Sequence, residues 1–279
     1  MAVRVVTDST CDLPADLVAK YGITVVPLTV LFGDEALLDG PEIDAPTFYE
    51  RLRTFHGAPR TSQPSVARFR ETYESLAAET DEIVSIHISS RMSGTLNSAS
   101  VAREAVAPAL HVDLIDSYNV SLGLGAIVLE AAIAASGGAG LADVAAAAHR
   151  AVGRVQVIAA LDTLEYLRRG GRIGRARSLL GSILSIKPLL QVDQGELAPF
   201  ERVRTRARAV ERVIELATAD QTIKRLFVAA GGDDALPAAI IERVRPSLPH
   251  TEIIPASIGP AVGVHSGPGV FGFAAVRHD

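Results

Sequence analysis

A chain of 279 residues that is 48% hydrophobic, 5% aromatic and free of tryptophan can bury one large or two ordinary α/β cores, lined chiefly by aliphatic side chains. Its net charge of -5 argues against general affinity for nucleic acid. The lone cysteine, Cys11, excludes an internal disulfide and a cysteine-cluster metal site, and it suits a reducing cytoplasm.

The N-terminus runs directly into the apolar stretch Val3 to Val6, without the charged start and long apolar core of a signal peptide. That strand ends at Thr7-Asp8-Ser9-Thr10. A helix through Leu17 and Val18 closes near Gly22, and Ile23 to Leu31 reads as a buried strand. Strand, helix and strand in this order favour a parallel sheet, and the polar cluster Thr7 to Asp12 falls where such sheets place ligands. Cys11 lacks a partner or base nearby and reads as a packed residue. Gly33 to Gly40 is expected to be a loop. Asp44 and Pro46 open a helix that runs to Gly57, and Ser65 opens another carrying Phe69, Tyr73 and Leu76. Between them Pro59 and Pro64 hold an extended connector that exposes Thr61 and Ser62, either as ordinary loop hydroxyls or as ligand contacts.

Ile83 to Ile88 is a short strand, a helix begins near Thr95, and Ser89 to Gly94 joins them. Unpaired N–H groups and the positive end of the dipole favour an anion at such a helix start. Ser93 adds a hydroxyl there, and Gly94 permits close approach. Two readings stay open for Ser93: a carboxylate or phosphate contact, or a plain helix cap. The strand Val112 to Ile115 ends in Asp116-Ser117-Tyr118-Asn119, and helices follow over 121–135 and 141–153. The first of these, Leu122 to Ala135, is the most apolar stretch, but Glu130 interrupts it and it is too short to span a bilayer.

The repeated strand-then-polar-loop pattern makes residues 1–152 an N-terminal α/β domain with a mainly parallel sheet. Residues 153–279 are expected to form an α+β domain with a partly antiparallel sheet and the ligand between the two. Its strands are Val155 to Leu161, a hairpin over Leu189 to Phe200, Leu226 to Ala230, Glu252 to Ala256 and Val270 to Val276. Asp162 to Glu165 resembles a capping box opening a short helix that ends at Gly170-Gly171. A further helix covers Ile173 to Ile186, before Pro188.

Ser93 on a strand-loop-helix turn invites comparison with a serine hydrolase, but Arg91 and Thr95 stand where G-x-S-x-G needs glycines. His265 as a distant base and Asp116 as its orienter keep a stand-alone acyl hydrolase open as the alternative. The chain contains no G-x-x-x-x-G-K-[ST] loop, and its first strand-helix turn lacks dinucleotide-binding glycines, so neither ATP nor NAD is expected on it. No histidine spacing suggests a metal site. His265, flanked by glycines and a proline, is either a hydrogen-bonded loop residue or a partner for a buried carboxylate. Ten arginines lie between Arg168 and Arg212, as solvated helix faces or as a docking surface for an acidic or phosphate-bearing partner.

The segments VTDSTCDLP at 6–14, TSQPS at 61–65, SSRMSGTLNSA at 89–99, LRRGGRIG at 167–174 and GVHSGPG at 263–269 closely resemble the DegV family, in family order and across nearly the whole chain. Its members are bacterial fatty-acid-binding proteins, and characterised ones are the binding subunit (FakB) of fatty acid kinase. The resemblance implies a long-chain fatty acid in an interior tunnel, with its carboxylate on Thr61 and Ser93, His265 in the same network, and Ser62 and Gly94 beside it. It implies no catalytic site and no cofactor on this chain. A separate cytoplasmic kinase subunit would bring ATP and magnesium and form an acyl phosphate for phospholipid synthesis, docking on Arg172 and Arg204.

Overall fold

The computed structural model describes residues 2–278, with side chains for all of them except 180–185. Strand β1 (Arg4–Asp8) leads through a 3-10 turn (Ser9–Cys11) into helix α1 (Ala15–Lys20), which Gly22 ends in the left-handed region at φ 59°. Strand β2 (Thr24–Val26) then pairs parallel to β1. The stretch expected as one strand over 23–31 is two, because Pro27 brings no N–H to extend the ladder. Beyond it β3 (Thr29–Phe32) forms a hairpin with β4 (Glu35–Leu38), so most of the expected loop at 33–40 is a strand. Gly33-Asp34 is the two-residue turn, and it is a hairpin signal in its own right.

Helix α2 (Ala45–Thr54) starts as its sequence requires, with Asp44 accepting from the Thr47 N–H at 3.0 Å. The connector that follows contains β5 (Arg60–Ser62), which pairs with β3, so Thr61 sits on a strand of a small antiparallel sheet and not in a free linker. Helix α3 (Val66–Leu76) is capped by Ser65. Then β6 (Glu82–His87), α4 (Thr95–Val106) and β7 (His111–Asp116) complete a parallel sheet in the order β2-β1-β6-β7.

Helix α5 (Leu122–Ser136) is apolar all round because it is buried all round. Leu124, Ile127, Val128 and Ala131 face the core of the parallel sheet, whereas Leu122, Ala126 and Leu129 join the core of the second sheet. Its one charge, Glu130, is paired with Arg225 and with Lys224 at 2.9 Å. Helix α6 (Leu141–Val152) packs beside it.

The second sheet takes the order β10-β9-β8-β13-β11-β12, and only β11 and β12 run parallel in it. It is built from β8 (Val155–Ala160), β9 (Lys187–Asp193), β10 (Glu196–Val203), β11 (Ile223–Ala230), β12 (Glu252–Ser257) and β13 (Phe271–Arg277). Between these strands lie α7 (Glu165–Arg169), α8 (Arg206–Thr218), α9 (Ala235–Val244) and α10 (Pro260–Ser266). The chain is thus an α/β protein with one parallel sheet, one mixed sheet and the small antiparallel sheet β4-β3-β5.

Two expectations fail in this half. The capping box does not form: Glu165 turns to Arg168 and Arg169, Asp162 pairs with Lys187 and Arg206, and Leu164 occupies the cap position. The stretch expected as an α-helix over 173–186 is 3-10 over Gly174–Ser185, and Pro188 lies inside β9, near its start, where a sheet tolerates proline.

A line of side chains ties the parallel sheet together. Asp8 accepts from the Ile88 N–H at 3.0 Å and bonds His87 Nδ1 at 3.0 Å, and His87 Nε2 meets Ser85 Oγ at 2.7 Å. Asp, His and Ser stand in the order of a hydrolytic relay, yet each is 0% exposed, so this is a staple between β1 and β6 that no substrate can reach.

Candidate functional site

An apolar cavity lies between the C-terminal ends of β1, β6 and β7 and one face of the mixed sheet, where open α/β sheets leave a crevice. It holds about 980 Å³ of space not filled by atoms, its mouth included. Val157, Leu190, Val192, Leu197, Phe271 and Phe273 form the sheet wall, and Leu122, Ile88 and Met92 close the other side. The polar residues among its walls include Thr61, Ser93, Arg172 and His265. Chain segments more than two hundred residues apart therefore meet at one small polar patch.

His265 stands in the last turn of α10, which Gly267 ends at φ 75°, so it belongs to a helix and not to the expected glycine-flanked loop. Its Nε2 lies 2.8 Å from Thr61 Oγ1. Its Nδ1 is shut from solvent without a hydrogen-bond partner, and the Gly170 backbone packs so closely that a Cβ there would stand 2.1 Å from this atom. Burial, with the Arg172 charge adding to it, pushes the imidazole down to about 4, which favours the neutral ring at pH 7. An orphaned N–H is more unfavourable than an orphaned lone pair, which places the ring hydrogen on Nε2. Nε2–H then donates to Thr61 and leaves the threonine O–H free to point at a ligand.

Ser93 Oγ meets Thr95 Oγ1 at 2.8 Å and accepts from the Thr95 N–H at 3.3 Å, while Gly94 holds the cap position of α4. It is half-buried on the cavity wall just before the helix start. Ser62 alternates to the opposite side of β5, is exposed, and does not line the cavity. Gly94 lies in an adjoining polar groove at the mouth with Arg91, Arg172, Arg177 and Glu196. Its missing Cβ makes room for Gln63, whose Nε2 donates to Gly94 O at 3.2 Å and Ser98 Oγ at 2.9 Å. Gln63 thereby ties β5 to α4, a role that the TSQPS segment contained but its spacing alone did not disclose.

The hydrolase arrangement is not assembled. His265 bonds Thr61 instead of Ser93, and Asp116 accepts from Ser90 Oγ at 2.6 Å and from the Tyr118 N–H at 2.9 Å, never meeting His265. Cys11 is buried, and burial pushes its thiol well above the usual range, which leaves no thiolate to react.

Most of the clustered arginines are neutralised. Arg168 and Arg169 sit on Glu165, Arg175 on Asp193, Arg206 on Asp162 and Asp233, and Arg208 and Arg212 on Glu215. Arg172 instead donates to two carbonyls, Gly170 O at 2.7 Å and Met92 O at 3.2 Å, and stands at the cavity mouth. Arg204 is exposed between β10 and α8, away from the cavity lining. Among the described residues no group of three or more His, Cys, Asp and Glu is placed to hold a metal, and no helix is long and apolar enough to cross a membrane.

A parallel sheet facing a mixed sheet across an apolar cavity is a known arrangement. The family model described as "Uncharacterised protein, DegV family" matches residues 2–278, and the chain belongs to the DegV family. A DegV domain-containing protein of Streptomyces coelicolor is 39% identical over 280 residues, covering 97% of this chain and 96% of the relative. A fatty-acid-binding DegV family protein from Thermus thermophilus superposes with a TM-score of 0.92 at 35% identity, and DegV of Bacillus subtilis, a fatty acid binding protein, with 0.90 at 31%. Both superpositions cover 100% of each chain.

Proposed function

We propose that this protein binds one long-chain fatty acid, with the acyl chain in the cavity and the carboxylate at its mouth against Thr61 and Ser93. The observation that carries this reading is an apolar cavity whose lining includes Ser93 and the bonded pair Thr61 and His265. The acyl chain gains about 0.8 kcal/mol per buried methylene, and the hydroxyls fix the charged end. Residues 1–152 and 153–279 act as two domains with the ligand between them. Two relatives of the same fold bind fatty acids, which supports the same ligand class here.

The finer reading concerns what happens to the carboxylate. A cytoplasmic kinase subunit, bringing its own ATP and magnesium, phosphorylates it to an acyl phosphate for phospholipid synthesis, with Arg172 and Arg204 on the docking face. Arg172 suits this role because it has no acidic partner among the described residues and stands where the carboxylate would emerge.

Native mass spectrometry of the purified protein, followed by organic extraction, tests the ligand. A stoichiometric long-chain fatty acid is expected. A protein that comes empty and also refuses added fatty acids would overturn the reading.

A further inference from the structure

We propose that Asp12 and Asp39 are positioning residues of the pocket: from a distant part of the chain, their carboxyl groups cap the start of α10 and so hold His265 against Thr61. The proposal uses the fatty-acid reading only for what the pocket binds. It assigns a task to the polar cluster after β1, which the ligand contacts leave unexplained.

Helix α10 brings no side-chain cap of its own, since Gly259 holds the cap position and Pro260 the first turn. The acceptors arrive from 247 and 222 positions earlier: the Gly259 N–H donates to Asp12 Oδ1 at 2.8 Å, and the Ala261 N–H to Asp39 Oδ2 at 3.3 Å. Both acids are buried, at 9% and 4% exposure. With seven residues α10 has about two turns, so an anchor on its first turn also fixes its last, where His265 meets Thr61 at 2.8 Å.

The backbone around the anchor is strained in a matching way. Asp12 lies in the left-handed region at φ 49°, and Ser121, whose hydroxyl bonds the second Asp12 oxygen, has φ 56°. Non-glycine residues stay in such conformations only where the surroundings over-determine them, and here the two strained residues hold each other. Ser121 itself lines the cavity. The clamp therefore joins three cavity walls: the turn after β1, the start of α5, and α10.

The charged groups acting on Asp12 are Asp39 and Asp8, both acidic, and Cys11 and Tyr49 are the other titratable groups in reach. Burial without a cation pushes Asp12 up to about 8 and Asp39 up to about 6. Asp12 Oδ1 accepts from the Gly259 N–H, and its Oδ2 accepts from the Ser121 hydroxyl. Asparagine keeps the Oδ1 acceptor for Gly259 in the same shape and offers an amide N–H to the Ser121 oxygen, whereas alanine offers neither.

The test compares wild type with Asp12→Asn, Asp12→Ala and Asp39→Ala in three measurements. These are titration with cis-parinaric acid, a fluorescent long-chain fatty acid, the imidazole ¹⁵N resonances of His265, and thermal unfolding against pH. Asp12→Ala is expected to weaken binding about fivefold to tenfold, the factor that loss of a helix cap represents. Its His265 resonances should move even without ligand. Asp12→Asn should bind within about twofold of wild type. It should also lose less stability than wild type as pH rises from the ordinary carboxylate range to about 8, because no carboxyl group at this position then ionises in the unfolded chain alone. Wild-type affinity with unmoved His265 resonances in Asp12→Ala would overturn the proposal, as would an asparagine variant as weak as alanine. If Asp12→Ala does not fold, Asp39→Ala and Asp12→Asn decide by the same readouts. A wild type that binds no fatty acid overturns the ligand reading alone, because the ligand-free resonances still decide the clamp.

Discussion

Thr61 on β5 and Ser93 in the loop before α4 line the cavity from different parts of the chain, so each tests the ligand reading separately. On the proposed reading, replacing either by alanine removes a hydrogen bond to the carboxylate, worth about 1.5 to 3 kcal/mol, and fatty-acid affinity should fall accordingly. Unchanged affinity in both variants, by titration, would remove the carboxylate from this patch. His265 gives a pH signature. Its folded pKa, about 4, lies below the ordinary 6.5, so as pH falls through that window the unfolded chain takes up a proton that the folded one refuses. Stability should therefore drop on acidification more steeply in wild type than in His265→Gln, measured by thermal unfolding across the same range.

Elements act on the patch through close contacts. Gly170 ends α7 with ordinary helical angles, φ −74° and ψ −9°, so alanine is tolerated by the backbone there. Its Cβ would nevertheless enter the space of His265 Nδ1. Gly170→Ala should leave the helix intact and displace the imidazole, lowering fatty-acid affinity with only a small change in melting temperature. Equal affinity would show that the ring can move without consequence. Helix α5 has the opposite character: both of its faces are committed to cores, so substitutions there act on the whole fold before they act on the pocket.

At the scale of the molecule, the two arginines singled out for docking separate. Arg204 is exposed and lines no part of the cavity, so Arg204→Ala should bind fatty acid like wild type while slowing phosphorylation by a partner kinase. Arg172 lines the mouth and adds its charge to the field on His265, so Arg172→Ala is expected to affect binding as well as docking. Phosphorylation unaffected in both variants would move the docking face elsewhere.

The sequence by itself determined what depends on neighbours along the chain. Short apolar runs and helical apolar spacing placed β1, β6, β7, α4 and α5, and Asp44 and Ser65 announced their helices because a cap bonds within three residues. The motif segments fixed the family and pointed to Thr61, Ser93 and His265. Only the tertiary structure decided that those three line one cavity and that Thr61 and His265, 204 positions apart, bond each other. It also decided that Ser62 faces away, that Gly94 makes room for Gln63, and that burial lowers the pKa of His265. Strand pairing, close packing and desolvation are properties of surroundings, and the surroundings of each residue come from parts of the chain that its own neighbours do not encode.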